Sequence, residues 1–231
     1  MELHWGAFVG AYVGYSLLSG LSQVPDYVTD KKDRVKWSHM VSSIVHAFVA
    51  SSLALWYILG RYNTENSVTL LSGLDGHNWI ITSYCAGFFI YDTVVCVKLV
   101  KVYGLGMILH ALISLFAMFS GLYYEVFVHF TVLVTFFEAS TVFLHSYWFG
   151  KRLGVNARLL SIFRLLFPLS FFLVRIVFGF YQWLLIAICM YKHSEALSTG
   201  LMVAGLGAEL LMAIMNFAFA KGDFPSKAKT K

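Results

Sequence analysis

Charged residues are scarce in this chain. Asp, Glu, Lys and Arg make up 13% of the 231 residues, hydrophobic residues make up 59%, and the mean hydropathy is +0.72. About a quarter of the residues in a soluble domain are usually charged. This shortage of charge excludes a soluble globular domain and predicts an integral membrane protein.

Cysteine is also rare, and its placement excludes a crosslinked domain. Cys85, Cys96 and Cys189 are the only cysteines, and each lies inside an apolar run, where a free thiol behaves as a small hydrophobic group. Their spacing fits neither a disulfide framework nor a zinc motif. The sequence therefore predicts no metal site.

Two further absences concern processing and partners. The opening "MELHWGAFVG" lacks the basic segment and cleavage site of a signal peptide, so we expect the first apolar run to remain as a helix. The net charge is +5, but no recognised fold and no groove of basic and aromatic residues points to nucleic acid. We expect no nucleic-acid partner.

Seven long apolar runs dominate what is present. A helix needs about 20 apolar residues to cross the hydrocarbon core of a bilayer, and each run approaches or exceeds that length. They cover residues 5–23, 40–60, 78–97, 105–124, 126–149, 159–190 and 198–220. The pattern predicts an all-α membrane protein with seven transmembrane helices and no separate soluble domain.

Two of these helices have special features. The sixth run exceeds one upright crossing, so we expect it to tilt, to kink at Pro168 or to end in the interface. In the first run Gly6, Gly10 and Gly14 recur at every fourth position. Small residues at this spacing let helices approach closely, so the stripe is predicted to pack the first helix on the others.

Basic residues predict the orientation. They concentrate in the connections after the first, third and fifth helices and after the seventh: Lys31, Lys32, Arg34, Lys36, Lys98, Lys101, Lys151, Arg152, Arg158, Lys221, Lys227, Lys229 and Lys231. The opposite side has only Arg61 and Lys192. Because basic loops stay in the cytosol, the N-terminus is predicted to be lumenal and the C-terminus cytosolic.

The tail "KAKTK" places Lys227 and Lys229 fifth and third from the C-terminus. On a cytosolic tail this spacing resembles the dilysine signal that coat proteins read to return proteins to the endoplasmic reticulum. The alternative is a basic tail that only follows the positive-inside rule. The first interpretation predicts that the protein is retrieved to the endoplasmic reticulum membrane.

Ionisable residues inside the apolar runs are the candidate functional residues: His46, Asp92, His110, Glu138, His145, Arg164, Arg175 and Glu209. Such residues cost a few kcal/mol at membrane depth, so we expect them to face the bundle interior. In "LVTFFEASTVFLHSYWF", Glu138 and His145 are nearly two helical turns apart and share a face with Thr141. They are predicted to line one polar seam.

Several segments together resemble the TRAM/LAG1/CLN8 (TLC) domain family. "WSHMVSSIVHA" is similar to the segment that opens this domain, "GFFIYDTVV" to its G-[YF]-F-x-x-D helix, and "EASTVFLHSYWF" to a later motif of its short members, most of all the branch of TLC domain-containing protein 4. "FFLVRIVF" matches the next helix. The resemblance implies a TLC domain over residues 35–220, preceded by a helix and basic loop (1–34) and followed by a basic tail (221–231).

The resemblance also has consequences for architecture and activity. It implies that the last six helices form a TLC-type bundle with a polar interior cavity. Ceramide synthases of the superfamily carry a His-His pair and an H-D-x-x-D element that are implicated in acyl transfer from acyl-CoA. Here Leu109 precedes His110, and Glu138 and Ser140 lie where the second element would be. The chain is therefore not a typical ceramide synthase.

The candidate residues have two interpretations. His110 could act as a base or acyl carrier, because an imidazole titrates near neutral pH, and Asp92 or Glu138 could orient it. His46, Arg175, His145 and Glu209 are candidate substrate-binding residues. Alternatively, His110 is structural, Arg175 forms an ion pair with Asp92, Glu138 or Glu209, and His145 and Arg164 reach the interface.

Three functions remain. The first is acyl transfer from acyl-CoA to a lipid amine or alcohol. The second is non-catalytic lipid binding that adjusts membrane composition, with membrane lipids as the partners. The third is transport or a proton path, since intramembrane acids and histidines also serve relays, although paired broken helices are not evident. The sequence favours a TLC-type endoplasmic reticulum membrane protein of lipid metabolism or lipid homeostasis and leaves open whether it is catalytic.

Overall fold

The computed structural model describes residues 4–60, 76–123, 127–192, 194–195 and 198–222, apart from the side chains of residues 201, 209 and 217–222. All regular structure among them is helical. The helices are α1 (Trp5–Leu21), α2 (Lys31–Gly60), α3 (Gly76–Lys98), α4 (Val100–Tyr103), α5 (Leu105–Tyr123), α6 (Val128–Thr135), α7 (Glu138–Arg152), α8 (Ala157–Phe171), a π segment (Phe172–Phe178), α9 (Gly179–Lys192) and α10 (Thr199–Gly222).

Five helical stretches are long and apolar enough to cross a membrane. They are α2, α3, α5, the α6–α7 stretch (Val128–Arg152) and the stretch from α8 through α9 (Ala157–Lys192). The prediction of an all-helical, multi-pass membrane protein is thereby confirmed. The count of seven stays a prediction, since α1 has 17 residues and the apolar part of α10, Met202–Asn216, is also short.

The start of α2 differs from the predicted loop. Asp30 accepts a hydrogen bond from the backbone N–H of Asp33 through its Oδ1 (2.9 Å), which satisfies a donor that the first helical turn leaves unpaired. The helix therefore begins at Lys31, well before the apolar run at residue 40. The basic residues Lys31, Lys32, Arg34 and Lys36 lie on the first turns of α2 and not in a loop.

The glycine stripe does not pack α1, so that prediction is wrong. A Cβ atom built on Gly6, Gly10 or Gly14 would meet none of the described residues within 4 Å. The helix packs on α3 through another face, which includes the buried Ala11 and Tyr15. On the α1 side, the interface with α3 is thus filled by side chains larger than glycine.

The close approach between these helices depends on Gly87 of α3. A Cβ atom there would lie 2.3 Å from the carbonyl oxygen of Phe8 and 3.0 Å from the Cβ of Ala11. Only a residue without a side chain fits this contact. The small residue that the interface needs is therefore supplied by α3.

The centre of the bundle is α3, which packs on α1, α2, α5 and α6. Its buried residues run along most of its length, and Cys85, Ala86 and Cys96 are 0% exposed. A helix that is buried against several neighbours belongs in the interior of a bundle. Side chains on α3 are thus well placed to face any central cavity.

The long stretch from α8 through α9 remains helical at Pro168, where a kink is one of the expected outcomes. A proline has no backbone N–H to donate to the preceding turn. Four residues later the chain adopts π geometry over Phe172–Phe178, and this segment carries Arg175. Single π turns within α-helices are frequent at functional sites.

Substitution of Gly87 tests the α1–α3 contact. Gly87→Ala is expected to lower the free energy of unfolding by about 1–3 kcal/mol, because the added methyl group meets backbone and cannot be accommodated without a shift. Gly10→Ala is the matched control, and it should be neutral or stabilising by up to about 1 kcal/mol, since alanine favours a helix. Thermal unfolding of both variants in detergent is the measurement, and equal stability of the two would contradict this packing.

Candidate functional site

A cavity of about 150 Å³ lies among α2, α3, α4, α5, α7 and α8 with its π segment. Apolar side chains form most of its wall, among them Met40, Phe88, Phe89, Leu144, Phe167 and Phe171. The polar lining comprises His39, Ser43, Asp92, Tyr103, His110, Glu138, Ser140, Thr141, His145 and Arg175. Ionisable groups from separate helices therefore meet in one apolar enclosure.

The cavity brings together most of the residues that the sequence singled out. Asp92, His110, Glu138, His145 and Arg175 all line it. His145 is 8% exposed, so its side chain faces the cavity and does not extend to the interface. Their assigned roles stay predictions.

His46 lies elsewhere. Its ring stacks on Phe88 with centroids 3.6 Å apart and an interplanar angle of 6°, and it meets Tyr15 edge-on. It is 0% exposed, and neither ring nitrogen has a hydrogen-bond partner within the described part of the chain. His46 is thus packed among aromatic rings and does not line the cavity.

The side chain of Glu209 and the tail residues Lys227 and Lys229 lie outside the described residues. Arg164 is described and is exposed on α8. Its position agrees with an arginine that extends along the helix towards the interface.

One polar cluster in the cavity is centred on His39. Its Nε2 is 2.7 Å from Oδ1 of Asp92, and its Nδ1 is 2.5 Å from the hydroxyl oxygen of Tyr103. In the neutral ring one nitrogen donates and the other accepts, so Nε2–H donates to the carboxylate and Tyr103 donates to Nδ1. The carboxylate of Asp92 is therefore engaged by His39.

Tyr103 and Cys96 complete this cluster. Burial, and then the charges of Cys96 and Asp92, raise the pKa of Tyr103 above its ordinary value, so the phenol stays protonated at neutral pH. Cys96 donates weakly to Oδ1 of Asp92 at 3.9 Å. His39, Asp92 and Cys96 each offer a ligand atom within 4.8 Å of the other two, and they form the only such group among the residues that the structure describes.

The second polar cluster is centred on Arg175. Its Nε donates to Ser140 Oγ (3.0 Å), one terminal nitrogen donates to Asn216 Oδ1 (3.2 Å), and the other donates to Thr141 Oγ1 (3.0 Å). The latter nitrogen is also 3.6 Å from Oε1 of Glu138. The ion pair of Arg175 is therefore with Glu138, one of its predicted partners.

Local structure explains how these partners converge. A short break at residues 136–137, whose backbone stays in the right-handed helical region, separates α6 from α7, and Glu138 lies in the first turn of α7. Ser140 and Thr141 follow on the same turn, so α7 presents three oxygen-bearing side chains to the guanidinium in the π segment.

Sequence reasoning missed His39, Tyr103 and Asn216. His39 precedes the apolar run of α2, although it lies seven positions before His46 and thus on the same helical face. Tyr103 lies in the short α4 between two membrane helices. A search restricted to ionisable residues inside apolar runs does not include them.

Comparisons with known proteins support the resemblance. The TLC domain profile of the TRAM/LAG1/CLN8 family matches residues 36–220. Topoisomerase I damage affected protein 4 of Saccharomyces cerevisiae is 25% identical over 187 residues, which cover 78% of this chain and 64% of that protein. TLC domain-containing protein 1 of Mus musculus is 26% identical over 146 residues, covering 61% and 58% of the two chains.

A third relative is similar in extent. An uncharacterized TLC domain-containing protein of Schizosaccharomyces pombe is 27% identical over 190 residues, which cover 80% of this chain and 63% of that protein. The chain thus spans less than two thirds of the length of these relatives. No solved structure matches it.

The ion pair between Arg175 and Glu138 can be tested through the free energy of unfolding of protein variants. Arg175→Met leaves the carboxylate of Glu138 buried without its cation, which is expected to cost about 3–5 kcal/mol. The double variant Arg175→Met, Glu138→Gln removes both charges and should recover part of that loss. Unfolding in detergent gives the values for a double-mutant cycle.

Arg164→Met is the matched control, because Arg164 lies in the same helical stretch and is exposed. We expect it to change stability by no more than about 0.5 kcal/mol. The assigned network would be refuted by an Arg175→Met variant that is as stable as Arg164→Met.

Proposed function

Because this chain belongs to the TLC domain family, we propose that it is a membrane protein of lipid metabolism or lipid homeostasis that binds a lipid headgroup in its central cavity. The observation that supports this best is the composition of the cavity. Phenylalanine, methionine and leucine side chains suit an acyl chain, while carboxylates and imidazoles offer hydrogen bonds to a headgroup.

The charges favour one class of headgroup. Each nitrogen of Arg175 already donates to a side chain of α7 or α10, and Glu138 lies beside it. This cation is therefore poorly suited to a phosphate. The acceptor groups of Asp92, Glu138 and the histidines suit a ligand that donates, such as a lipid amine or alcohol.

Acyl transfer to that amine or alcohol is the reaction that fits such a site. His110 and Glu138 line the same cavity, where His110 would take the proton from the attacking amine or hydroxyl. The attack on the thioester carbonyl of acyl-CoA would form an amide or ester and release the thiol of coenzyme A. Asp92 would act together with His39, with which it forms a hydrogen bond.

We further propose that α1 and α10 also cross the membrane, which gives seven crossings with six helices around the cavity. The three connections predicted to be cytosolic meet at one end of the bundle, within the described part of the chain. Arg152 at the end of α7 is 2.5 Å from Asp33 at the start of α2, and Lys36 of α2 lies over the ring of Tyr103 in α4. This grouping supports a lumenal N-terminus and a cytosolic C-terminus.

A catalytic role and a structural role of the cavity residues predict different effects on the lipid composition of cells. If the cavity is catalytic, His110→Ala should abolish the change in lipid composition that the protein causes, and Glu138→Gln should reduce it. Lipidomics of cells with and without the protein identifies the affected class, and the purified protein is then assayed on that class with acyl-CoA. Protein abundance is measured in the same cells.

His46→Phe is the control, because it alters a buried histidine outside the cavity and keeps an aromatic ring. Its lipid change should follow its abundance. If His110→Ala is fully active at normal abundance, His110 is not the base. If its abundance falls modestly and its lipid change falls only in proportion, His110 has a structural role.

The location can be tested separately. Reporters fused to each terminus should place the N-terminus in the lumen and the C-terminus in the cytosol. Replacing Lys227 and Lys229 by serine should let the protein leave the endoplasmic reticulum, because coat proteins would no longer bind the tail. Replacing Lys221 and Lys231 instead removes the same amount of charge, and equal retention of the two double variants would exclude a dilysine signal.

A further inference from the structure

The cluster at the cytosolic end of α3 contains the ligands of a metal site. We propose that His39, Asp92 and Cys96 bind a zinc ion through His39 Nε2, an oxygen of Asp92 and the sulfur of Cys96. The three groups are buried, and their ligand atoms lie within 4.8 Å of one another.

The distances are close to those of a coordinated ion. Zinc bonds of about 2.0–2.3 Å place the ligand atoms of a tetrahedral site about 3.3–3.6 Å apart. The sulfur of Cys96 is 3.9 Å from Oδ1 of Asp92, and Nε2 of His39 is 2.7 Å from the same oxygen. On binding, the sulfur–oxygen pair would have to approach by about 0.3 Å and the nitrogen–oxygen pair to separate by about 0.6 Å.

Helix geometry holds the ligands in place. Asp92 and Cys96 are four residues apart on α3 and therefore share a face, while His39 approaches from α2. The second nitrogen of His39 contacts the hydroxyl of Tyr103 at 2.5 Å. With Nε2 on the ion the ring proton is on Nδ1, so Nδ1–H donates to the hydroxyl oxygen of Tyr103, which is the reverse of the tautomer that pairs Nε2–H with Asp92. Donation from the far nitrogen is the usual way in which a ligating histidine is fixed in orientation and tautomer.

Charge and ligand type favour zinc. With Cys96 ionised on binding, one thiolate and one carboxylate neutralise the two charges of the ion, which limits the cost of burial in an apolar environment. A set of sulfur, imidazole nitrogen and carboxylate oxygen suits zinc better than magnesium or calcium. His39 and Asp92 line the cavity, so a fourth coordination position would be reached from it, as in zinc sites that keep an open position.

The full-length protein, purified in detergent and stripped with a chelator, is titrated with cobalt as a spectroscopic substitute for zinc. We expect about one ion per chain, a tetrahedral cobalt spectrum with a thiolate-to-cobalt charge-transfer band, and displacement by zinc, which binds such sites more tightly. A protein that stays folded but binds no ion, or that shows no sulfur band, overturns the proposal. The three side chains would then form a hydrogen-bonded group only.

Cysteine variants assign the sulfur. Cys96→Ser should remove the band and weaken zinc binding by more than the 10–100-fold that loss of an outer-shell partner costs. Cys189→Ser is the control, because Cys189 is also a buried free cysteine but lies on α9, and it should bind as the wild type does. An unchanged spectrum in Cys96→Ser overturns the assignment.

A third variant decides the case if Cys96→Ser does not fold. The double variant Cys85→Ser, Cys189→Ser keeps Cys96 as the only cysteine, so a retained sulfur band must come from Cys96, and a lost band overturns the proposal. Tyr103→Phe should weaken zinc binding about 10–100-fold without removing the band. Equal affinity in this variant would exclude Tyr103 as the group that orients His39 on the ion.

Discussion

The charge of Arg175 is the constraint on which the cavity depends. An arginine does not lose its proton in a protein, so within a membrane helix it must be surrounded by acceptors. Ser140, Thr141 and Glu138 of α7 and Asn216 of α10 meet this requirement. One guanidinium thus fixes the relative positions of three helical segments, and the polar lining of the cavity follows from that arrangement.

The features that could be predicted from the sequence are those for which exposure to lipid carries a free-energy cost. The approximate positions of the five membrane-length stretches followed from the apolar runs, although α2 begins at Lys31, before its run. Asp92, His110 and Glu138 were found because ionisable residues at membrane depth need an enclosed site. The pairing of His39 with Asp92 could not be predicted in this way, since it depends on which helices are neighbours. His46 and the glycines of α1 illustrate the same limit: each has a suggestive spacing, but the neighbouring helix places an aromatic ring against His46 and leaves the stripe uncovered.

The pairing of Asp92 also changes how the candidate site is organised. Spacing along the chain allowed Asp92 to orient His110, but its Oδ1 is bonded to His39 (2.7 Å), while Glu138 lies beside Arg175. The cavity therefore has one imidazole–carboxylate cluster between α2 and α3 and one guanidinium–carboxylate cluster between α7 and the π segment. A molecule bound between the two clusters would meet the imidazole–carboxylate cluster at one end and the guanidinium–carboxylate cluster at the other. The two ends of the molecule would therefore lie in different electrostatic environments.

The π segment gives this chain a tolerance of deletion that an unbroken α-helix would not have. A π turn holds one residue more than an α turn, and each residue of an α-helix rotates the following side chains by about 100° about the axis. Deleting a single residue within Phe172–Phe178 would convert the π turn into an α turn, so the buried residues of α9, such as Gln182 and Leu185, would keep facing their present neighbours. The same deletion in a regular α turn would rotate them by about 100°. The π segment, which carries Arg175, therefore accommodates one extra residue without changing the alignment between the cavity half and the distal half of the longest helix.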